Sequence, residues 1–390
     1  MSAVRQTECR IAIVGAGPQG LTVATHLVAA GVAPDDIVVV DPLGAWLSAW
    51  SRRCARLRIA HLRSPSVHHP HPDPYALPAF AEASGRRAEL LWRYGLPTTS
   101  LFGDFCEHVV AQHRLGSTVV AAAVESVEPD GRLWTDSGVC IAAKHAVWAT
   151  DPAVEPRLPA HPRVRRWDSA EGELGPQPGA LVAVLGGGLS AAHLVERALA
   201  VGCEVDWISR APLRVREFDT DPGWLGPKYM SSFHGEPDQS VRLARVIEAR
   251  AGGTVPPWMM ARLAPALASG QLRCRVGSVE EGDADALRVD GTALSADEIW
   301  PAWGSTPSVS ASPALDHLCR TMGVGRCGDR PLRDRWLRLG PTCVHVVGRL
   351  AQLRLGPTAG NLSGARHAAI RVVGAVLGLE AASHIDHVGA

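Results

Sequence analysis

Residues 11–20 read Ile11-Ala12-Ile13-Val14-Gly15-Ala16-Gly17-Pro18-Gln19-Gly20. The four apolar, partly β-branched residues that open this stretch predict a short strand buried on both faces. Leu21 to Ala30 follows with helical apolar spacing, and Gly31 ends it. In a G-x-G-x-x-G turn of this kind Gly15 permits the sharp bend and Gly17 lets a diphosphate approach the backbone. Gly20 lets helix and strand pack closely. The first helical turn, with Pro18 and Gln19, presents free N–H groups and the positive end of the helix dipole to an anion. Ile37 to Val40 predicts the next strand. Asp41 stands at its tip, twenty-one residues past Gly20, where a carboxylate accepts hydrogen bonds from a ribose.

The order recurs 171 residues later. Leu181 to Leu185 is a second buried strand, followed by Gly186-Gly187-Gly188-Leu189-Ser190-Ala191, a helix from Leu189 to Ala200, and a strand from Glu204 to Ile208. Alanine in the last glycine position is within the fingerprint. Here the second strand ends in Ser209-Arg210 with Arg214 and Arg216 close behind. An acid there would repel a 2′-phosphate, whereas serine and arginine bind and neutralise one, so NADPH is expected over NADH. Two dinucleotide folds in one chain point to hydride transfer between a nicotinamide and a flavin. The fold class is α/β, with two Rossmann-like domains.

Composition agrees. The chain has 390 residues, enough for about 2.6 domains at ~150 residues each. Lys plus Arg equals Asp plus Glu at 39 each, so no net field recruits nucleic acid or an anionic membrane. No apolar run approaches the ~18 residues of a membrane-spanning helix. Nine cysteines lie scattered with no C-x-x-C, which excludes a dithiol centre and a zinc ribbon and suits a reducing cytosol. A cytoplasmic location is expected. Further along, Pro129-Asp130-Gly131 predicts a turn in a small β-meander covering the first sheet. Proline-rich residues 152–178 read as a connection between domains. Helical spacing covers 242–251, 258–269 and 363–377. Strands are expected at 271–276, 286–294, 299–303 and 344–348.

Gly15–Gly20 with Asp41, the strand end Val147-Trp148-Ala149-Thr150, and Gly186–Ala191 with Arg210 resemble the two-dinucleotide flavoprotein monooxygenases. The flavin-containing and Baeyer–Villiger members carry histidine four residues before a tryptophan; Arg163 stands there before Trp167, so the nearest resemblance is to the lysine- and ornithine-N-hydroxylating members or an uncharacterised branch beside them. It implies an FAD domain of residues 1–170 and 300–390 around an inserted NADPH domain of 178–299. FAD would be held by Gly15, Gly17, Pro18, Gln19, Gly20, Asp41 and Thr150, with Gly348 and Asn361 as a third contact. NADPH would be held by Gly186, Gly188, Leu189, Ser190, Ser209 and Arg210. The implied activity is an NADPH-dependent monooxygenase that forms a C4a-hydroperoxyflavin and N-hydroxylates a small amine or amino-acid derivative. Its partners would be that substrate and dioxygen, with a homo-oligomer compatible with the chain. The alternatives are a flavin reductase or oxidase that inserts no oxygen, and a non-catalytic dinucleotide-binding protein. Two positions depart from the family pattern: Asp151 stands where it has glycine, and Arg349 where it has aspartate.

Other residues are candidates for the space near the flavin. The proline-rich loop 61–75 offers Arg63 and Ser64 to the ring's polar edge. Its His68, His69, His71 and Asp73 are spaced poorly for a metal, and no metal is expected. Trp46 and Trp50, at i and i+4 on one helical face, either follow the flavin or, as the stronger reading, fill the core. Phe218–Pro237 lacks periodicity and reads as a lid, with Lys228 and Asp221 as substrate- or nicotinamide-orienting candidates. Catalytic residues in the strict sense are not legible, because the cofactor carries the chemistry.

Overall fold

Strands that pair in parallel need helical crossovers, and these cover both faces of the sheet. That is why Ile11–Val14 and Val182–Leu185 read as unbroken apolar runs, and all eight residues are buried. The computed structural model describes residues 6–157, 161–168, 174–250, 252–281 and 287–379. The first sheet has seven strands. Val119–Val120, Ile37–Val40, Gln6–Val14 and Cys140–Trp148 run parallel in that order, and Leu133–Thr135 and Val124–Val127 continue the edge antiparallel. Val344–Val346, from the far end of the chain, pairs in parallel with the last three residues of Cys140–Trp148. The second sheet is wholly parallel, in the order Leu272–Val276, Glu204–Ser209, Leu181–Leu185, Glu298–Pro301. The chain leaves and re-enters the first sheet through a short antiparallel pair, Ala153–Val154 with Thr306–Pro307.

One face of the first sheet is covered by the helices Pro18–Ala29, Thr99–Gln112 and Leu362–Val376, through Leu21, Leu27, Phe102, Phe105, Ala368 and Val372. The other face packs on Val309, Leu315, Leu318 and Leu339. In the second core Trp207 and Trp300 are fully buried. The Trp207 indole N–H donates to the Gly186 carbonyl at 2.6 Å, locking strand to glycine turn.

Several expectations change. The meander joins the sheet's edge rather than covering it. Trp46 lies before its helix, which starts at Ser48 behind Leu47 at φ 58°, so Trp46 and Trp50 do not share a helical face. Phe218–Pro237 is not irregular: it forms a 3-10 turn Pro222–Leu225 and a helix Pro227–Gly235. That helix starts on Gly226 and Pro227 and is anchored by Trp224, tilted against Tyr229 at 5.5 Å and edge-to-face with Phe233 at 5.6 Å. An aromatic anchor leaves no apolar stripe for sequence periodicity to find. Of the strand expected at 286–294, residue 286 lies outside the described residues, and Leu287–Val289 pairs with Thr292–Ala293. All nine cysteines are free, and among the described residues no helix is long and apolar enough to cross a membrane.

Three buried histidines set an acid limit. His345 donates Nδ1–H to the Trp336 carbonyl at 2.8 Å and accepts from His145 Nδ1 at 3.2 Å. His26 donates to the Thr22 carbonyl and His69 to the Pro74 carbonyl. Burial lowers the pKa of each to about 4. Such a group stabilises the fold fully above the unfolded value of ~6.5 and loses that contribution as pH falls towards 4, on the order of 3 kcal/mol apiece. The urea midpoint should therefore fall steadily from pH 7 to pH 4.5, and His345→Gln should flatten that fall; a pH-independent midpoint would contradict the assignment.

Candidate functional site

The geometry of the two glycine turns dictates what each helix start can meet. A Cβ on Gly20 would lie 2.1 Å from the Gly15 carbonyl oxygen, and Gly15 itself has φ +105° with Thr150 close behind it. Beside Gly17 the space is open, with nothing within 4 Å of a Cβ built there. Gly17 caps the helix Pro18–Ala29 without any side-chain bond, and no acid stands in its first turn. The positive helix end is thus left to whatever enters the open space. Asp41 holds this turn: its carboxylate accepts the Ala16 and Leu43 N–H groups, each at 2.9 Å. A carboxylate has about four acceptor directions, so two remain for a ribose.

The second turn repeats the device. Gly186 has φ +135°, and a Cβ there would meet the Ala302 carbonyl at 2.4 Å. Gly188 caps Leu189–Ala200, again with no side-chain bond and no acid in the first turn. Ser209 donates its hydroxyl to the Ala211 carbonyl at 2.7 Å, which leaves it only acceptor lone pairs. Arg210 is exposed at the strand end, as are Arg214 and Arg216.

Both helix starts open onto one cleft of about 820 Å³. Pro18 and Gln19 line it from the first turn, and Gly188, Leu189 and Ser190 from the second. Ser64, His68 and Trp50 line it too, Trp50 packing on Phe102 at 5.3 Å. Trp46 does not; its indole N–H donates to the Leu115 carbonyl at 2.9 Å as part of the core. A third helix start reaches the cleft where the chain turns at Gly348 (φ +71°) and runs to Asn361, the cap of Leu362–Val376. The Asn361 side chain does not bond its own helix. Its amide donates instead to Asp219 Oδ1 at 3.2 Å. The Gln19 amide donates to the Ala359 and Asn361 carbonyls, while Gln19 Oε1 is buried without a partner. A buried acceptor left open at the meeting of two helix starts suits a ligand N–H such as a flavin ring offers.

The two departures from the family pattern complement each other. Arg349 Nε donates to Asp151 at 2.6 Å, and its other nitrogens grip the carbonyl and hydroxyl of Ser305 at 2.8 and 2.9 Å. Gly360 lets the arginine stem pass, since a Cβ there would sit 2.4 Å from Arg349 Cγ. The pair binds the outgoing strand end, the returning chain and the third helix start together.

Arg63 behaves differently from expectation. It lines the cleft, but its three guanidinium nitrogens are spent on the carbonyls of Arg216 (2.6 Å), Glu217 (2.9 Å) and Thr254 (3.2 Å). Burial lowers its pKa to about 10, which leaves it charged at neutral pH and a clasp between the two sheets' loops rather than a group facing a flavin. Arg242 and Arg250 return the grip, donating to the Leu353 and Pro357 carbonyls at 3.4 and 2.9 Å. Lys228 is exposed over the Tyr229 ring, and Asp221 caps a 3-10 turn; neither lines the cleft. Within this part of the chain the charged residues that do line it are Asp219 and Arg250, paired at 3.3 Å. Only the Gly252-Gly253 doublet ahead of Thr254 signalled in sequence that this segment approaches another backbone. In the 61–75 loop His69 is buried under Pro74, and His71 accepts the Asp73 N–H. Among the described residues no group of three or more metal-ligating side chains occurs. Arg63→Met, which keeps the stem and removes three charge-assisted bonds, should slow anaerobic reduction by NADPH about tenfold or more at unchanged flavin content. An unaltered rate would remove the clasp from the account.

Residues 12–152 match the family model described as FAD-NAD(P)-binding. No curated protein sequence matches. Among solved structures, the chain is similar to an ornithine N-hydroxylase from Kutzneria sp. 744, with TM-score 0.75 and 17% identity over 95% of this chain and 99% of that one. It is similar to the cadaverine monooxygenase of desferrioxamine biosynthesis from Erwinia amylovora, with TM-score 0.73 and 17% identity over 96% and 95%. A bacillithiol disulfide reductase from Bacillus cereus also matches, with TM-score 0.60 and 17% identity over 96% and 100%. Residues 12–152 thus match an FAD-NAD(P)-binding model, in a chain that shares its fold with these flavoprotein structures.

Proposed function

We propose that the protein is an FAD- and NADPH-dependent monooxygenase that N-hydroxylates a small amine or amino-acid derivative. In this reading residues 1–170 with 300–390 carry FAD and residues 178–299 carry NADPH. The observation that carries it is the single cleft onto which both uncapped helix starts open, because hydride transfer requires the two reacting rings to meet. Bound FAD would supply electron storage and oxygen activation. The chain's own part is to hold and orient. Gly17 and the turn of Pro18 and Gln19 take one diphosphate, Gly188 to Ser190 take the other, and Asp41 takes a ribose. Asn361 and Gln19 Oε1 offer polar contacts at the ring, and the apolar walls Trp50, Leu62 and Phe218 exclude water. The structural likeness to N-hydroxylating enzymes supports the amine substrate. The disulfide reductases share the fold, but no cysteine lines this cleft, so thiol exchange has no nucleophile there.

Two experiments test this. With FAD, NADPH and a panel of diamines and basic amino acids, at least one amine should give a hydroxylamine in step with NADPH oxidation. Stoichiometric hydrogen peroxide whatever amine is present would identify an oxidase instead. Separately, Arg210→Ala should reduce the kcat/KM preference for NADPH over NADH by about tenfold or more, since a charge-assisted phosphate contact is worth about 1.5–3 kcal/mol. An unchanged preference would exclude Arg210 from the 2′-phosphate site.

A further inference from the structure

Residues 252–255 face the second glycine turn from the opposite side. Gly252 and Gly253 hold φ +77° and +94°, and a Cβ on Gly253 would lie 2.9 Å from Gly188 Cα and 3.3 Å from the Gly188 nitrogen. The two glycine segments therefore touch backbone to backbone, at the start of the helix Leu189–Ala200. Thr254 comes next. It lines the same cleft and is 97% buried, at 3% exposure, yet its hydroxyl Oγ1 has no hydrogen-bond partner. Its backbone is not loose. The Thr254 carbonyl is gripped by Arg63 at 3.2 Å, and the neighbouring Val255 exchanges backbone hydrogen bonds with Arg214 and Arg216 at 2.9 and 3.0 Å. A fixed backbone with an unbonded hydroxyl is a costly arrangement for a buried threonine in a protein without ligand. The hydroxyl therefore keeps an unused donor in a residue that lines the cleft.

We propose that Gly252-Gly253-Thr254 is the second wall of the nicotinamide-dinucleotide site, and that the Thr254 hydroxyl donates a hydrogen bond to the dinucleotide's diphosphate. The inference rests on the NADPH-binding reading above and adds to it a residue that no glycine fingerprint contains. It also gives the Arg63 clasp a consequence. Because Arg63 comes from the first sheet's side of the cleft, it sets the position of this wall, so the diphosphate site is complete only when the two halves are closed on each other.

The test compares Thr254→Val, which keeps shape and removes the hydroxyl, with Thr254→Ser, which keeps the hydroxyl. Each oxidised, FAD-loaded protein is titrated calorimetrically with NADP+, and its melting temperature is read with and without NADP+. The valine variant should bind NADP+ about tenfold more weakly, while the serine variant stays within about threefold of the parent. Without ligand the valine variant should melt no lower than the parent, because it loses a hydroxyl that had no partner. Equal NADP+ affinity in the valine variant overturns the role of Thr254 alone. A lowered ligand-free melting temperature, with both variants losing affinity alike, also overturns it, since the threonine would then be structural. If the parent protein itself fails to bind NADP+, the reading of the whole second site falls, and this inference with it.

Discussion

A methyl group at position 20 would stand 2.1 Å from the carbonyl oxygen of Gly15, and much of the structure follows from that close approach. The helix Pro18–Ala29 can begin directly over the strand end only because nothing intervenes. Beginning there on Gly17, which has no side chain to bond its first turn, it leaves its positive end open. Gly186 meets Ala302 in the same way at the second sheet, with the same uncapped result. Two such helix ends facing one cleft form an electrostatic arrangement suited to two diphosphates.

Between these two poles the cleft is held by arginines that reach across it to carbonyl oxygens. Arg63 crosses in one direction, Arg242 and Arg250 in the other, and Arg349 ties both crossing chains to the third helix start. Guanidinium groups suit this work because several donors in a fixed plane can satisfy carbonyls that loops leave unpaired. The two halves of the cleft are therefore joined by side-chain-to-backbone bonds alongside aromatic contacts such as Trp92 stacked on Trp258.

The fold was largely legible in the sequence. Ile11–Val14, the glycine turn and Asp41 lie within thirty-one residues, and each constraint that shapes them is local. The cleft was less legible. Arg63 binds carbonyls more than 150 residues away, and a backbone acceptor has no residue type to recognise. Asp151 and Arg349 read separately as departures from a pattern, whereas in space they are one ion pair 198 residues apart in the chain. Lys228 and Asp221 stand out in sequence because Phe218–Pro237 lacks periodicity. That segment is a short aromatic-anchored helix, and the lysine lies on its outer side.

The central claim, that two dinucleotides meet in one cleft, is tested most directly by anaerobic titration of the purified protein with NADPH while the flavin absorbance near 450 nm is followed. The account predicts a yellow protein carrying about one FAD per chain that one equivalent of NADPH bleaches. A colourless protein that takes up no added FAD, or a bound flavin that NADPH leaves oxidised, would contradict it.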